Sequence, residues 1–525
     1  MPEVTIVGAG IAGLTAALRL LQRGFVVRLC EQDEFIGGKW GALRQPEATG
    51  GNVAKPVYHE HCYHMFLNWF HNFWQIVDEL GLRDQFEPRR SMQYLRRGGF
   101  PNFAELRNVG SISSFWSNMF SGVLPVPDMF IYNYSMIDLI AEPIHRGEFL
   151  DQYSVNGFMR SRLYATDAAA EHHQRTLAKA FACPSYLTSA STYKSFIKYG
   201  FRRPDPMMWV LRGNCQEHFH DHLQRRLEEH GERFSLDLKS RVERLHLDPS
   251  GRIDALEVAR LDRSPSVDSG QPAKVLKRER WKIEGDVIVA VPPGALAGFV
   301  DEKVFQAAPE LGNVRKLRSE PMASADVYFK KRLPNIPKEH VVLLGSKYDL
   351  TFIDNSQVWP DETTTSLNLV ASEFDPLEGL PRRTALDHML AELRTYIEFD
   401  PADIDWSRTY IQTNTGERLF VNQVGSWPSR PQTSCPIPNL FLAGDFCQTF
   451  IDVVTLEAAV VSGLQAAEAV RAKAGAGEPV RIVEPDSYPE SLMAALALMG
   501  APYAYGAKLW AWGSELAEAM TGVRR

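Results

Sequence analysis

Gly8, Gly10 and Gly13 follow the apolar run Val4-Thr5-Ile6-Val7 directly and open a helical pattern from Leu14 to Leu21, so strand, tight turn and helix come in that order. A turn of this kind lets the backbone approach a pyrophosphate closely, packs the helix tightly on the strand, and offers the helix N-terminus to negative charge. A second strand pattern, Phe25 to Cys30, ends at Glu31, and a carboxylate roughly twenty residues past the glycines is placed to accept hydrogen bonds from a ribose hydroxyl. Ala12 in the turn and Gln32 beside Glu31 join the expected contact set. Far along the chain, Asn439 to Ala443 reads as a strand closing on Gly444 and Asp445, with Val454 in the connection to an apolar helix from about Leu456 to Val470. Asp445 is expected near the ribityl and pyrophosphate of the same ligand. This second contact, with Ile36-Gly37-Gly38-Lys39-Trp40 after the second strand, favours FAD over NAD, because a nicotinamide domain has no use for a contact several hundred residues away.

A second set of reactive side chains is local. His59, Glu60, His61 and His64 lie within six consecutive residues. His-x-His on a strand puts two imidazoles on one side, which is metal-ligand spacing. Hydrogen-bonded structural histidines and a proton-handling pair account for the same residues.

The elements that must position these groups imply a discontinuous fold: an α/β chain with a Rossmann-type FAD-binding domain from residues 1–90, 205–300 and 415–475, and an interleaved α+β substrate domain from 91–204 and 301–414. In the middle block, Cys215 to His230 reads as a helix, Phe234 to Leu238 and Arg241 to Leu247 as strands, and the polar stretch 264–272 as the loop of a hairpin. Asp286 to Val291 reads as a buried strand stopped by Pro292-Pro293. Ala325 to Phe329 and Leu367 to Val370 read as strands of the second domain, with a helix from Ala385 to Glu398 over them. Residues 476–525 read as an amphipathic, aromatic tail broken at Pro502. Phe115, Trp116, Met119 and Phe120 mark one helical face, which suits either core packing or an interfacial surface.

Composition limits the function classes. The chain has 525 residues, 45% of them hydrophobic, enough for a large core and about two or three domains. A net charge of −7 gives no general attraction to nucleic acid. Six cysteines without a CxxC pair read as reduced thiols. A terminus that starts directly on a strand, without a charged and apolar leader, reads as cytoplasmic, with peripheral membrane contact as an open reading.

The combination of Ile36-Gly37-Gly38-Lys39, His59 to Phe66, Asn72-Phe73-Trp74 and Leu80-Gly81-Leu82 with Ser426 to Pro431, Phe441 to Phe446 and Glu457 to Gly463 resembles plant and cyanobacterial carotenoid desaturases (phytoene and zeta-carotene desaturases) of the flavin amine oxidase superfamily. The resemblance implies FAD held by Gly8, Gly10, Gly13, Glu31, Gly38, Lys39 and Asp445, with the Val242 backbone at the adenine. It implies no metal, and it makes Glu60 and His64 the catalytic candidates. It further implies hydride transfer from a hydrophobic polyene, isoprenoid or lipid-like substrate to the flavin, with oxygen or a quinone as electron acceptor. The chain departs from it at Leu456-Glu457-Ala458, where such desaturases carry Met-Glu-Gly, and it has no lysine in Met322 to Tyr328, where many amine oxidases do. An amine or amino-acid oxidase is the competing expectation, with Arg160, Arg162, Arg202 and Arg203 as candidate carboxylate ligands. A non-catalytic flavin-stabilised partner protein is the third.

Overall fold

The computed structural model describes all residues except 45–57, 109–111, 143–148, 182–183, 201, 203–205, 267–271, 414–417 and 522–525. The glycine turn sits at the centre of a five-stranded parallel sheet ordered Phe234–Asp237, Val26–Cys30, Glu3–Val7, Asp286–Val289, Leu440–Leu442. Its strands come from three stretches of chain separated by hundreds of residues. The strand Glu3–Val7 has neighbours on both sides, and the C-terminal ends of all five open toward one crevice, the usual ligand position in such sheets.

The helix Ile11–Leu21 is buried on almost every side because the helix Leu456–Ala474 packs over it. Gly463 permits this approach, since a Cβ there would lie 2.3 Å from the Ala12 carbonyl oxygen. A three-stranded antiparallel sheet, Ser240–Leu247, Ile253–Leu261 and Val275–Lys282, flanks the crevice.

A second, seven-stranded sheet runs Tyr410–Thr413, Ala323–Tyr328, Ser366–Ala371, Leu350–Asp354, His340–Leu344, Ser91–Arg96, Ala104–Arg107. Its four central strands are buried at every position. Both faces are therefore covered: alternate residues such as Ala325, Val327, Phe352, Leu367 and Leu369 enter an apolar core, while Ser324, Asp326, Thr351 and Asn368 on the opposite face are buried as well. One face packs against the helix Arg382–Leu393. The helices Ile112–Met119, Val126–Ala141, Asp167–Phe181 and Ala190–Gly200 complete a layer on the cavity side.

Three expectations need correction. The helix expected over Ala385 to Glu398 begins earlier and ends earlier, at Arg382–Leu393, because Pro381 supplies a helix start that needs no N–H donor. The single helix expected from Cys215 to His230 is a π-type turn, Gln216–His220, followed by Asp221–Glu228. The wider turn lets His220 Nε2 reach the Trp40 carbonyl at 2.7 Å. The tail is not broken at Pro502: the helix Glu490–Thr521 runs through it. The carbonyl left without its helical donor belongs to Leu498, which is 78% exposed and open to water. This helix docks on Val126–Ala141, where Tyr134 donates to the Ala497 carbonyl at 2.9 Å and Gly500 leaves room for the Tyr134 ring.

Candidate active site

One cavity of about 830 Å³ runs from the glycine turn into the cleft between the two sheets. At its first end the backbone is shaped for a phosphate. Gly8 has φ +100°, and a Cβ there would sit 2.4 Å from the Ala290 carbonyl oxygen. A Cβ on Gly10 would meet only Gly38 Cα at 3.9 Å, so the space in front of Gly10 faces the cavity. Gly10 is also the N-cap of Ile11–Leu21, and among the described residues no side chain caps that helix start. Unsatisfied N–H groups facing an open space are an anion site. Thr455 caps the second helix entering the cavity, and Leu456 and Ala459 line the wall beside it.

Glu31 lines the same end, with Oε2 accepting the Ala9 N–H at 2.7 Å and Oε1 the Asp33 N–H at 3.1 Å. The carboxylate is thus fixed while it faces the cavity. Gly8, Gly10, Ala12, Glu31, Gln32, Gly38, Lys39, Trp40, Val242, Gly444, Asp445 and Val454 all line the cavity. Gly13 does not; its Cβ position lies 2.1 Å from the Gly8 carbonyl oxygen, so it works by letting the helix seat on the strand. Sequence reasoning missed Ser240, Arg241 and Glu243, which line the wall at the start of the flanking sheet, where only Val242 was singled out. Replacing Glu31 with Ala should weaken FAD binding about 10- to 100-fold, the size of a lost charge-assisted hydrogen bond of about 1.5–3 kcal/mol. Titration of apoprotein with FAD measures it, and an unchanged affinity would mean the carboxylate serves only the turn.

The loop bearing Asp445 is held by a residue the sequence reading quoted without a role. Arg430 is buried, pairs with Asp452, and donates to the carbonyls of Phe446 and Cys447 at 2.9 and 2.8 Å.

The histidine cluster divides. His59, expected with His61 and His64, turns away and bonds Asp326 at 2.9 Å, while its ring stacks on Tyr410. Asn368 donates to Asp326 at 2.7 Å and accepts from the Tyr63 N–H at 3.0 Å. The Tyr63 hydroxyl lies 2.6 Å from His340 and 2.8 Å from Thr351. These bonds pin residues 59–63 to the seven-stranded sheet. What faces the cavity is His61, Cys62 and His64, with one potential donor atom from each inside a 4.8 Å span. The sequence reading passed over Cys62. Its thiol is 3.8 Å from His64 Nε2, and Glu60 lies 3.7 Å from His64 Nδ1. Burial opposes both charges, yet His61 and His64 draw the Cys62 thiol down to about 6, and Cys62 with Glu60 holds His64 up at about 10. Each of the two groups thus favours the charged form of the other. Glu60 is set one layer back, its Oε1 accepting the Cys215 N–H at 2.8 Å.

Glu457, at the start of the helix Leu456–Ala474, is fully buried and accepts the N–H groups of Asn72 and Phe73, both at 2.9 Å. It thereby satisfies the N-terminus of the helix His71–Glu79. Burial, only partly offset by those bonds, pushes its carboxyl up to about 7. A carboxyl whose folded pKa is raised contributes stability that is present below its unfolded value and is lost as pH rises through the folded one. The melting temperature should therefore fall as pH rises from about 4.5 to about 7 and level off above that, and Glu457→Gln should flatten that slope. An identical slope in the variant would assign it to other groups.

Residues 11–471 match the family model described as flavin containing amine oxidoreductase. The chain belongs to that family. A 15-cis-phytoene desaturase of Solanum lycopersicum is 22% identical over 485 residues, 89% of this chain and 77% of that protein. A zeta-carotene desaturase of Synechocystis is 22% identical over 503 residues, 90% and 97%. Among solved structures, cyclohexylamine oxidase from Brevibacterium oxydans superposes with a TM-score of 0.60 at 15% identity, covering 90% of this chain and 99% of that one, a likeness of fold. The α/β flavoprotein fold, FAD as cofactor and oxidoreductase activity follow from this membership together with the phosphate cradle. The five cysteines among the described residues are free thiols; Cys183 lies outside them.

Proposed function

We propose that this flavoprotein dehydrogenates, or isomerises with the help of its flavin, an elongated and largely apolar substrate of the polyene, isoprenoid or lipid-like kind. The observation that carries the reading is the continuity of the FAD cradle with an apolar arm walled by Met92, Met129, Met136, Phe196 and Ile197. An arm of thioether and hydrocarbon surface binds a chain without demanding polar partners. Bound FAD supplies the hydride acceptor, and oxygen or a quinone is the proposed electron sink. Gly8, Gly10, Glu31 and Asp445 hold the cofactor, while the methionine-lined wall excludes water and aligns the substrate. His64 holds a proton at the cavity surface, fixed in that state by Cys62 and backed by Glu60. We assign the cofactor domain to 1–90, 205–300 and 415–475 and the substrate domain to 91–204 and 301–414.

Amine or amino-acid oxidation is the competing reading, favoured by the fold shared with cyclohexylamine oxidase. Its candidate carboxylate ligands are engaged elsewhere. Arg160 pairs with Asp167 at 2.9 Å, Arg162 with Asp138 and Glu142 at 2.9 and 2.7 Å, and Arg202 stacks on Tyr488; Arg203 lies outside the described residues. Anaerobic bleaching of the flavin against isoprenoid, fatty-chain and amine panels decides between them. Bleaching by amines alone would end the lipid reading.

Delivery of such a substrate calls for a surface compatible with lipid. Among the described residues no helix is long and apolar enough to cross a membrane. Trp116 and Phe120 are 54% and 69% exposed at the end of the helix Ile112–Met119, while Met119 between them is buried. The helical face expected to act as one unit is therefore split between core and surface. Asn118 of this helix lines the cavity, which places the exposed aromatics beside the arm. We assign them to peripheral membrane contact. Changing Trp116 and Phe120 together to Ser should lower liposome association at least tenfold, given about 1.5–3 kcal/mol per inserted aromatic, with the flavin spectrum unchanged. Unaltered association would remove this surface from the proposal.

A further inference from the structure

The apolar arm contains a polar group of tyrosines. Tyr94 on the strand Ser91–Arg96, Tyr132 on the helix Val126–Ala141 and Tyr193 on the helix Ala190–Gly200 all line the cavity. Tyr94 and Tyr132 pack against the same His172 ring, with centroids 5.7 and 4.6 Å away. None of these three elements carries a residue of the dinucleotide end.

The hydrogen bonds around them determine which way each proton points. Ser135 Oγ donates to the Tyr132 carbonyl at 2.8 Å, so toward His173 Nε2, 2.7 Å away, it accepts. Burial, reinforced by His172, lowers His173 to about 3 and keeps it neutral. Its Nδ1 is then an acceptor, and the Tyr193 hydroxyl at 2.9 Å donates to it. Thr176 Oγ1 donates to the His172 carbonyl at 2.9 Å, so toward Tyr132 it too is an acceptor. The Tyr132 hydroxyl, with Thr176 and Tyr193 beside it, gives its single proton to one of them and keeps lone pairs for another donor. Tyr94 is only 6% exposed, and its hydroxyl bonds no described residue. Among the described residues the arm therefore presents one unspent donor, the Tyr94 O–H, and one unspent acceptor, the Tyr132 oxygen, on two walls that meet at the His172 ring.

A hydroxyl group is complementary to that pair, because it accepts from Tyr94 while donating to Tyr132. A hydrocarbon terminus would leave the buried Tyr94 hydroxyl without a partner, the situation in which a site discriminates most strongly against an analogue lacking the polar group. We propose that the substrate is an apolar chain bearing a hydroxyl at the end remote from the flavin, and that Tyr94 and Tyr132 select it. This rests on the lipid reading above and makes its substrate class narrower.

The test uses the FAD-loaded enzyme and a matched pair of probes, geranylgeraniol and the same chain without its hydroxyl, with binding read from the perturbation of the flavin spectrum. The alcohol is expected to bind at least tenfold tighter than the hydrocarbon. In Tyr94→Phe, with the flavin spectrum confirming an intact fold, the preference should fall below threefold while hydrocarbon affinity holds or improves. If Tyr94→Phe does not retain FAD, Tyr132→Phe is read in the same way. Equal binding of the two probes, or a preference that survives the Phe substitution, overturns the hydroxyl inference and leaves the lipid reading standing. Binding of neither overturns both.

Discussion

Gly13→Val is expected to purify without FAD and with a clearly lowered melting temperature. The side chain would begin 2.1 Å from the Gly8 carbonyl oxygen and 3.3 Å from Ile6 Cγ2, both inside the central strand-turn-helix unit, where there is no space to yield. Overpacking of this kind costs about 1–3 kcal/mol and displaces backbone. The displaced backbone is the phosphate cradle itself. Gly10→Ala should behave differently, although it lies three residues earlier. Its Cβ would meet only Gly38 Cα at 3.9 Å, so the apoprotein should fold normally. The methyl group would occupy space that the pyrophosphate needs, and FAD affinity should fall about 10- to 100-fold through loss of a charge-assisted hydrogen bond. Flavin stoichiometry and thermal unfolding, measured on both variants, separate fold damage from ligand exclusion. Stoichiometric FAD in Gly13→Val would refute the seating role, and a destabilised Gly10→Ala would mean that its open face is not the cofactor's.

Arg430→Ala should be the most damaging change outside the glycine turn. The pair Arg430–Asp452 is almost fully buried, and removing one member of such a pair costs about 3–5 kcal/mol because the other charge is left uncompensated. The same guanidinium holds the carbonyls of Phe446 and Cys447, so the loop bearing Gly444 and Asp445 loses its brace at the same time. The expected result is a fall in melting temperature together with FAD loss on gel filtration. Arg430→Lys should not rescue it, since a point-like ammonium cannot serve a carboxylate and two carbonyls in a fixed fork. Full FAD retention in Arg430→Ala would show that the loop keeps its shape unaided.

The sequence by itself determined the parts whose geometry is local. A strand, a glycine turn, a helix and a carboxylate at the end of the next strand occupy about thirty contiguous residues, and short-range sterics impose their arrangement whatever the rest of the chain does. The terminal strand ending in Gly444-Asp445 was legible for the same reason, and so was the need for a discontinuous cofactor domain.

Tertiary structure decided what depends on contacts between distant segments. No spacing rule tells His59, drawn to Asp326 from 267 positions away, from His61 two residues later. Removing His59 from the cluster and bringing Cys62 to His64 changed a histidine motif into a thiol–imidazole pair facing the cavity. Arg430 reads in sequence as an ordinary arginine before a proline, and only burial against Asp452 and two carbonyls makes it a brace. The helical face of Phe115 to Phe120 could be seen in its periodicity, but which of its members met solvent depended on what packed beside them: Met119 went to the core, while Trp116 and Phe120 stayed outside. The tyrosine pair in the cavity arm lies furthest from sequence reading. Its chemistry is the direction of individual protons, and those directions are set by a chain of partners from three helices that meet only in the folded protein.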